Sequence, residues 1–133
     1  MSQENVEVEN VVVRRWIWAF DNDTDAFRDI LHPEIEWFPI EENHTPYYGV
    51  EAAMRYRNRW FDTWDDYRTE LEEVVEGGDS VVFLVHLTAR GKASRVKVDI
   101  RFYAHVKVRD DKVVHIFDHR DRAAALEAAG LSE

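Results

Sequence analysis

The fold is decided by the alternating stretch at residues 80–108, SVVFLVHLTARGKASRVKVDIRFYAHVKV. On both sides of its GKAS turn, apolar residues return at every second position, which is the period of a β-strand. In the second half, the even-numbered residues from 98 to 106 are apolar and the odd-numbered ones are mostly polar. The even set is therefore predicted to face the core. Between Val81 and Leu87 both sets are apolar, which predicts a central strand covered on both faces, a partner subunit being one candidate cover.

The same period continues on either side of this stretch. YRTELEEVV at 67–75 and KVVHIFDHR at 112–120 have the composition of two more strands. Turns at 76–79 and 109–111 are short enough to join neighbouring strands directly. The sequence therefore predicts an antiparallel meander of four strands.

Helical spacing of apolar residues dominates the N-terminal half. Near the other end, Asp121 is predicted to cap a final helix that Gly130 ends. Helices preceding a meander predict an α+β fold in one domain, residues 1–133, with the helices on one sheet face. The other predicted elements are a helix at 4–20, a short helix begun by Asp23 or Thr24 and ended by His32-Pro33, a strand at 34–38, a loop at 39–49 and a helix at about 50–63.

Composition excludes several classes of protein. The chain has 133 residues, 45% of them hydrophobic, and a net charge of −10. Such an acidic chain is not expected to bind nucleic acid or an anionic membrane, because both require a basic surface. It has no cysteine, so disulfides and thiolate metal sites are excluded. No apolar run approaches the ~20 residues of a membrane span, and the first ten residues lack a signal core, so a cytoplasmic location is expected.

Three segments together resemble the SnoaL-like, or polyketide-cyclase-like, branch of the NTF2-like superfamily. They are VVRRWIWAFDNDTDAFRDILHPEIEWFP, YYGVEAAMRYRNRWFDTWDDYRTELEEVVEGGDSVVFLVHLTARGKAS and KVVHIFDHRDRAAALEAAGL. The resemblance implies a cone-shaped barrel, in which a curved antiparallel sheet wraps around three N-terminal helices and an apolar cavity opens at one end. It also implies a homodimer through the convex sheet face. The fold does not determine the function, because its members include isomerases, cyclases, epoxide hydrolases, dehydratases and binding domains.

The ketosteroid isomerases of this fold provide one comparison. Their oxyanion-hole tyrosine corresponds here to Trp16, their catalytic base to about Phe38, and their second aspartate to about Ala104. All three depart from that pattern, because Trp16 has only an indole N–H to donate, Phe38 cannot take a proton and Ala104 has no acidic group. Steroid isomerisation by that set of residues is therefore not expected.

Asp118 is the first candidate for chemistry. In an alternating last strand, Val114, Ile116, Asp118 and Arg120 share a face, and the resemblance implies that this face lines the cavity. Burial would raise the pKa of such a carboxyl group and make it a useful base, as in the polyketide cyclases. Arg120 would lower that pKa again or bind an anionic substrate group. The alternative is a structural Asp–Arg pair at the cavity mouth.

A larger set of side chains is predicted to bind the ligand. Trp16 is expected to stack on it or to donate its N–H. His44 and Tyr48 belong to a loop that lies near the cavity entrance in this fold, although a plain surface loop is the alternative. The remaining predicted ligand-binding residues, which can equally be core, are Trp37, Met54, Phe83, Phe102 and Ile116.

The other histidines do not predict a metal site. His115 and His119 have the i, i+4 spacing of a zinc helix, but the surrounding Val and Ile residues indicate a strand. We expect both on the convex face, and we expect His86 and His105 at the surface or in an interface.

Three functions remain open. The first is an enzyme without metal or cofactor that performs acid/base chemistry on an apolar carbonyl-containing substrate, with Asp118 as the base. The second is a non-catalytic ligand-binding or accessory domain with the same cavity. The third is a structural homodimer whose cavity is filled by side chains.

Overall fold

A computed structural model describes residues 7–131, except for the side chain of Glu41. Three helices and two short strands precede a meander of long strands, and a fourth helix follows it. None of the helices within residues 7–131 is long and apolar enough to cross a membrane. In chain order the elements are α1 Val11–Asn22, α2 Thr24–Asp29, β1 Leu31–Phe38, a 3-10 turn Ile40–Glu42, β2 Tyr47–Tyr48, α3 Val50–Thr63, β3 Trp64–Gly77, β4 Ser80–Gly91, β5 Lys97–Arg109, β6 Lys112–His119 and α4 Arg122–Ala129.

The six strands form one curved, unclosed sheet in the order β2-β1-β6-β5-β4-β3. The predicted meander is confirmed, since β3 to β6 pair with their neighbours in antiparallel fashion. The whole sheet is mixed, because β1 runs parallel to β6, with Trp37 opposite Ile116. Two parallel neighbouring strands must be joined by a long crossover connection. Here that connection contains β2, α3, β3, β4 and β5.

Side-chain caps set the beginnings of three helices. The side chains of Asn10, Asp23 and Asp121 accept hydrogen bonds from the backbone N–H three residues later, at 3.1, 3.0 and 3.0 Å. The caps at Asp23 and Asp121 were predicted. The predicted start of the first helix at residue 4 is wrong from residue 7 onward, and residues 4–6 lie outside the described part. The Glu76 carboxylate accepts the backbone N–H groups of Glu9 and Asn10, which holds this segment before the helix begins.

The core lies between the sheet and the first three helices. Val13, Phe27, Ile35, Val106 and Ile116 are buried there with at most 1% of their surface exposed. Burying this apolar surface is the main stabilising contribution to the fold.

The fourth helix packs on the opposite face of the sheet. Ala125 and Leu126 of α4 bury Val82 of β4, and Tyr103 packs against the same cluster. The second cover that the sequence predicted for the central strand is therefore supplied, at Val82, by the chain itself.

A bulge in β6 changes which residues face the core. Val113 pairs with Val108 whereas His115 pairs with Lys107, so Val114 is an extra residue. Val113 consequently lies in the main core with 0% of its surface exposed. The prediction that even-numbered residues of this strand face the core is therefore wrong before the bulge. It holds after the bulge, where Ile116 and Asp118 face inward.

A buried arginine fixes the end of α1. Arg57 of α3 donates hydrogen bonds to the Phe20 carbonyl and to Thr24 Oγ1, both at 2.9 Å. Its guanidinium also lies 4.9 Å from the centre of the Phe61 ring. Burial lowers the pKa of Arg57, but the carbonyl and aromatic partners compensate for part of the lost hydration. Sequence periodicity gave no indication of this contact.

Candidate active site

A cavity of about 120 Å³ lies between the inner face of the sheet and helices α1 and α3. Its walls are almost entirely apolar, and aromatic rings from five different elements contribute to them. The lining residues are Trp16, Ile17, Phe20, Asp21, Trp37, Tyr56, Trp60, Thr69, Leu71, Phe83, Val85, Leu87, Phe102, Ala104, Ile116 and Asp118.

Asp118 is the buried carboxylate of this cavity, with 6% of its surface exposed. It lies near the end of β6, opposite Ala104 of β5, and the small Ala104 side chain leaves space beside it. Its Oδ2 accepts a hydrogen bond from the backbone N–H of Ile40 at 3.1 Å. The carbonyl oxygen of Asp118 accepts a second bond, from His44 Nε2 at 2.6 Å. Backbone and side chain of Asp118 are thus both held by the segment that follows β1.

Two buried indole N–H groups belong to the same walls. Trp16 and Trp60 are each 8% exposed, and neither Nε1 has a hydrogen-bond acceptor within the described part of the chain. A buried donor without an acceptor costs about 1–3 kcal/mol. An oxygen atom of a ligand in the cavity would remove this cost. The walls therefore combine a buried proton acceptor, Asp118, with two N–H donors suited to a carbonyl oxygen.

A wider space of about 560 Å³ adjoins the cavity on the side of the 3-10 turn. Tyr56, Trp60 and Leu87 belong to the walls of both. Arg120 lines this outer space rather than the cavity. It forms no hydrogen bond or ion pair with any other residue of 7–131, so the structural Asp118–Arg120 pair is not formed.

On the side of α1, the wall residue Asp21 is paired with a residue that does not itself line the cavity. Tyr67 of β3 donates a hydrogen bond from its hydroxyl to Asp21, which lies at the end of α1. Burial of the phenol, followed by this bond, raises the pKa of Tyr67. The pair connects the edge strand β3 to α1 beside the cavity.

The structure brings together six of the ten predicted site residues and places the others elsewhere. Met54 is buried but belongs to neither wall, because it packs within the core. The predicted position of His44 is wrong, since its ring stacks on Phe117 on the other side of β6, with centroids 4.5 Å apart. Tyr48 is 64% exposed and contacts Phe38. The residues that do share the cavity are Trp16, Trp37, Phe83, Phe102, Ile116 and Asp118.

Histidines cluster on the outer face of β5 and β6. His105 was expected at the surface or in an interface, but it is 4% exposed, and its ring lies 5.3 Å from that of His115. Burial, followed by the neighbouring positive charge of His115, lowers the pKa of His105 to about 4. Burial and His44 likewise lower the pKa of His119. Within residues 7–131 no group of three acidic or histidine side chains is placed to hold a metal ion.

Sequence reasoning missed Tyr56 and Trp60 of α3 as cavity residues. They are four positions apart and so share one helix face, which was a usable signal. Leu71 and Thr69 of β3 were also missed, because two shifts of register in the β3–β4 pairing obscure the alternation there.

A curved sheet with helices on its inner face is a fold that this chain shares with solved structures. A putative SnoaL-like polyketide cyclase from Jannaschia sp. CCS1 is 20% identical, with a TM-score of 0.72 over 100% of this chain and 99% of the other. A protein of ketosteroid isomerase-like fold from Catenulispora acidiphila, in complex with trimethylamine, is 13% identical, with a TM-score of 0.71 over 92% and 94%. TerC, co-crystallised with polyporic acid, is 20% identical, with a TM-score of 0.69 over 91% and 98%.

The family follows from the sequence match itself. The model of the SnoaL-like domain matches residues 13–116, which is most of the chain. The protein therefore belongs to the SnoaL-like domain family and has the NTF2-like fold. No curated protein matches it.

Proposed function

We propose that the protein binds a small apolar molecule in this cavity and that Asp118 removes a proton from a carbon next to a carbonyl group of that molecule. The observation that carries the proposal is a buried carboxylate in the wall of an otherwise apolar cavity. A positioned base contributes about 10²–10⁴-fold to such a proton transfer. The indole N–H groups of Trp16 and Trp60 are the donors that would stabilise negative charge on the carbonyl oxygen.

The volumes constrain how the molecule fits. The inner cavity of about 120 Å³ is smaller than the roughly 300–1,000 Å³ of common ligand pockets. Aromatic side chains therefore occupy much of the space between the sheet and the helices. The outer space of about 560 Å³ lies within that range. The ligand is therefore proposed to occupy both, with its reacting part inside.

Binding is tested with β-naphthamide, a flat neutral molecule that carries a carbonyl group, by isothermal titration calorimetry. The Ala104→Leu substitution places a larger side chain in the wall opposite Asp118. We expect it to weaken binding about tenfold or more, because overpacking a filled space costs about 1–3 kcal/mol.

Ala129→Leu is the matched control, because Ala129 lies on α4 at the other face of the sheet. It should leave the affinity unchanged. Urea unfolding of both variants establishes that they remain folded. Absence of heat with the wild-type protein, or equal binding by the Ala104→Leu variant, would contradict binding in this cavity.

The alternative function is a non-catalytic ligand-binding or accessory homodimer. It is favoured by aromatic side chains on the outer side of β1 and β6. Tyr48 is 64% exposed there, and Phe38 contacts both Tyr48 and Phe117. An exposed aromatic group of this kind is a common anchor of interfaces.

The dimer is tested by light scattering over a range of concentrations. We expect Tyr48→Ser to raise the dimer dissociation constant about tenfold or more, as the loss of an aromatic anchor does. Trp18→Ser is the control, since Trp18 is an exposed aromatic residue of α1, with 56% of its surface accessible. A monomeric wild-type protein, or equal effects of the two substitutions, would reject an interface at this face.

A further inference from the structure

The walls of the outer space carry a charge opposite to that of the whole chain. The chain has a net charge of −10. The outer space nevertheless has three arginines and one glutamate in its walls, namely Arg59, Arg101, Arg120 and Glu42. An excess of positive charge at the entrance of a cavity in an acidic protein favours the approach of an anion.

Two of the three arginines already have carboxylate partners. Arg59 Nη2 donates to both oxygens of Glu42, at 2.7 and 2.6 Å. Arg101 donates to both oxygens of Glu72, at 2.8 and 3.2 Å. In each pair the two charges neutralise each other. Arg101 makes the two-point contact through two of its nitrogens, whereas Arg59 uses one nitrogen for both oxygens.

Arg120 is the arginine of this set that has no such partner. It is exposed, and within residues 7–131 it has neither an ion pair nor a hydrogen bond. Arg120 lies two positions after Asp118 in the chain, so the buried carboxylate and the exposed guanidinium belong to neighbouring parts of the backbone. A molecule that reaches from the cavity into the outer space would bring its far end to Arg120.

We propose that the ligand is an organic anion, whose apolar body enters the cavity and whose carboxylate binds Arg120 at the mouth. This inference rests on the proposed function. It also fixes the orientation of the ligand, because repulsion by Asp118 keeps the carboxylate away from the inner end. The planar guanidinium of an arginine matches the geometry of a carboxylate better than the ammonium group of a lysine does.

The test compares β-naphthoate with β-naphthamide, which have the same ring system and differ in charge. Isothermal titration calorimetry gives the dissociation constant of each compound for the wild-type, Arg120→Gln and Arg14→Gln proteins. Arg14 is an exposed arginine of α1 that lines neither space, so its substitution changes the net charge equally.

We expect the wild-type protein to bind naphthoate about twofold to fivefold more tightly than naphthamide, as a partly exposed ion pair gives. Arg120→Gln should abolish this preference, and Arg14→Gln should preserve it. Added salt should reduce the preference of the wild-type protein.

Binding of naphthamide without any preference for naphthoate would overturn this inference and leave the proposed function intact. An equal loss of preference in both arginine variants would also overturn it, because the effect would then come from net charge alone. If the wild-type protein binds neither compound, the proposed function fails as well.

Discussion

Asp118→Asn is expected to lower the rate of proton exchange on a bound ketone about a hundredfold or more. The probe is β-tetralone in deuterated water, whose hydrogens next to the carbonyl are followed by NMR. The amide has nearly the shape of the carboxylate and can still accept the hydrogen bond that Ile40 donates to Asp118. It cannot act as a base, however, so the substitution removes the proton acceptor while keeping the geometry of the wall.

Asp21→Asn is the matched control, because Asp21 is a second carboxylate of the same wall. Asp21 is exposed and accepts a hydrogen bond from the Tyr67 hydroxyl, so its substitution should change the exchange rate little. Equal exchange in the wild-type and Asp118→Asn proteins would contradict catalysis by Asp118. Naphthamide binding without any exchange above the buffer rate would instead support the non-catalytic alternative.

Acidification is expected to destabilise the protein through His105 by roughly 2–3 kcal/mol between pH 6.5 and pH 4. The pKa of His105 in the fold is about 4, whereas that of an unfolded histidine is 6.5. The unfolded chain therefore binds the proton first as the pH falls, and stability is lost through this window. His115, His119 and Lys107 surround the ring with positive charge, and Asp79 opposes them only in part.

The measurement is the free energy of unfolding in urea as a function of pH, for the wild-type and His105→Gln proteins. The variant should lose less stability on acidification, and the difference between the two curves isolates His105 from the carboxylates. An NMR titration of the His105 ring provides a second readout. A midpoint near 6.5, or parallel curves for the two proteins, would refute the prediction.

The meander and α3 were predictable because their signals are local. Alternation and short turns define β3 to β6, and helical spacing at residues 50–63 gives the observed bounds of α3. The bulge at Val114 was not predictable, because the pairing that creates it joins residues on two strands. The same holds for the start of α1, which depends on Glu76, a residue 67 positions away from Glu9.

The candidate site was predictable where the alternation of residues along a strand determines which side chains face the cavity. Asp118 lies in the wall because strand alternation after the bulge places it beside Ile116. His44 was misplaced, because neither the ring stacking on Phe117 nor the bond to the Asp118 carbonyl follows from a loop sequence. The role of Arg120 at the mouth depends on which of its neighbours already have carboxylate partners, and only three-dimensional contacts show that.

The parallel pairing of β1 with β6 also has a consequence for folding kinetics. Glu36 and His115, which face each other across this pair, are 79 positions apart in the chain. Closing so long a loop is entropically costly, and topologies rich in such contacts fold slowly. Local hairpins of the meander can form early, but β1 gains its neighbour only when β6 is in place. The contacts of Asp118 with Ile40 and His44 depend on the same closure, so the buried Asp118 carboxylate gains them only after this long loop has closed.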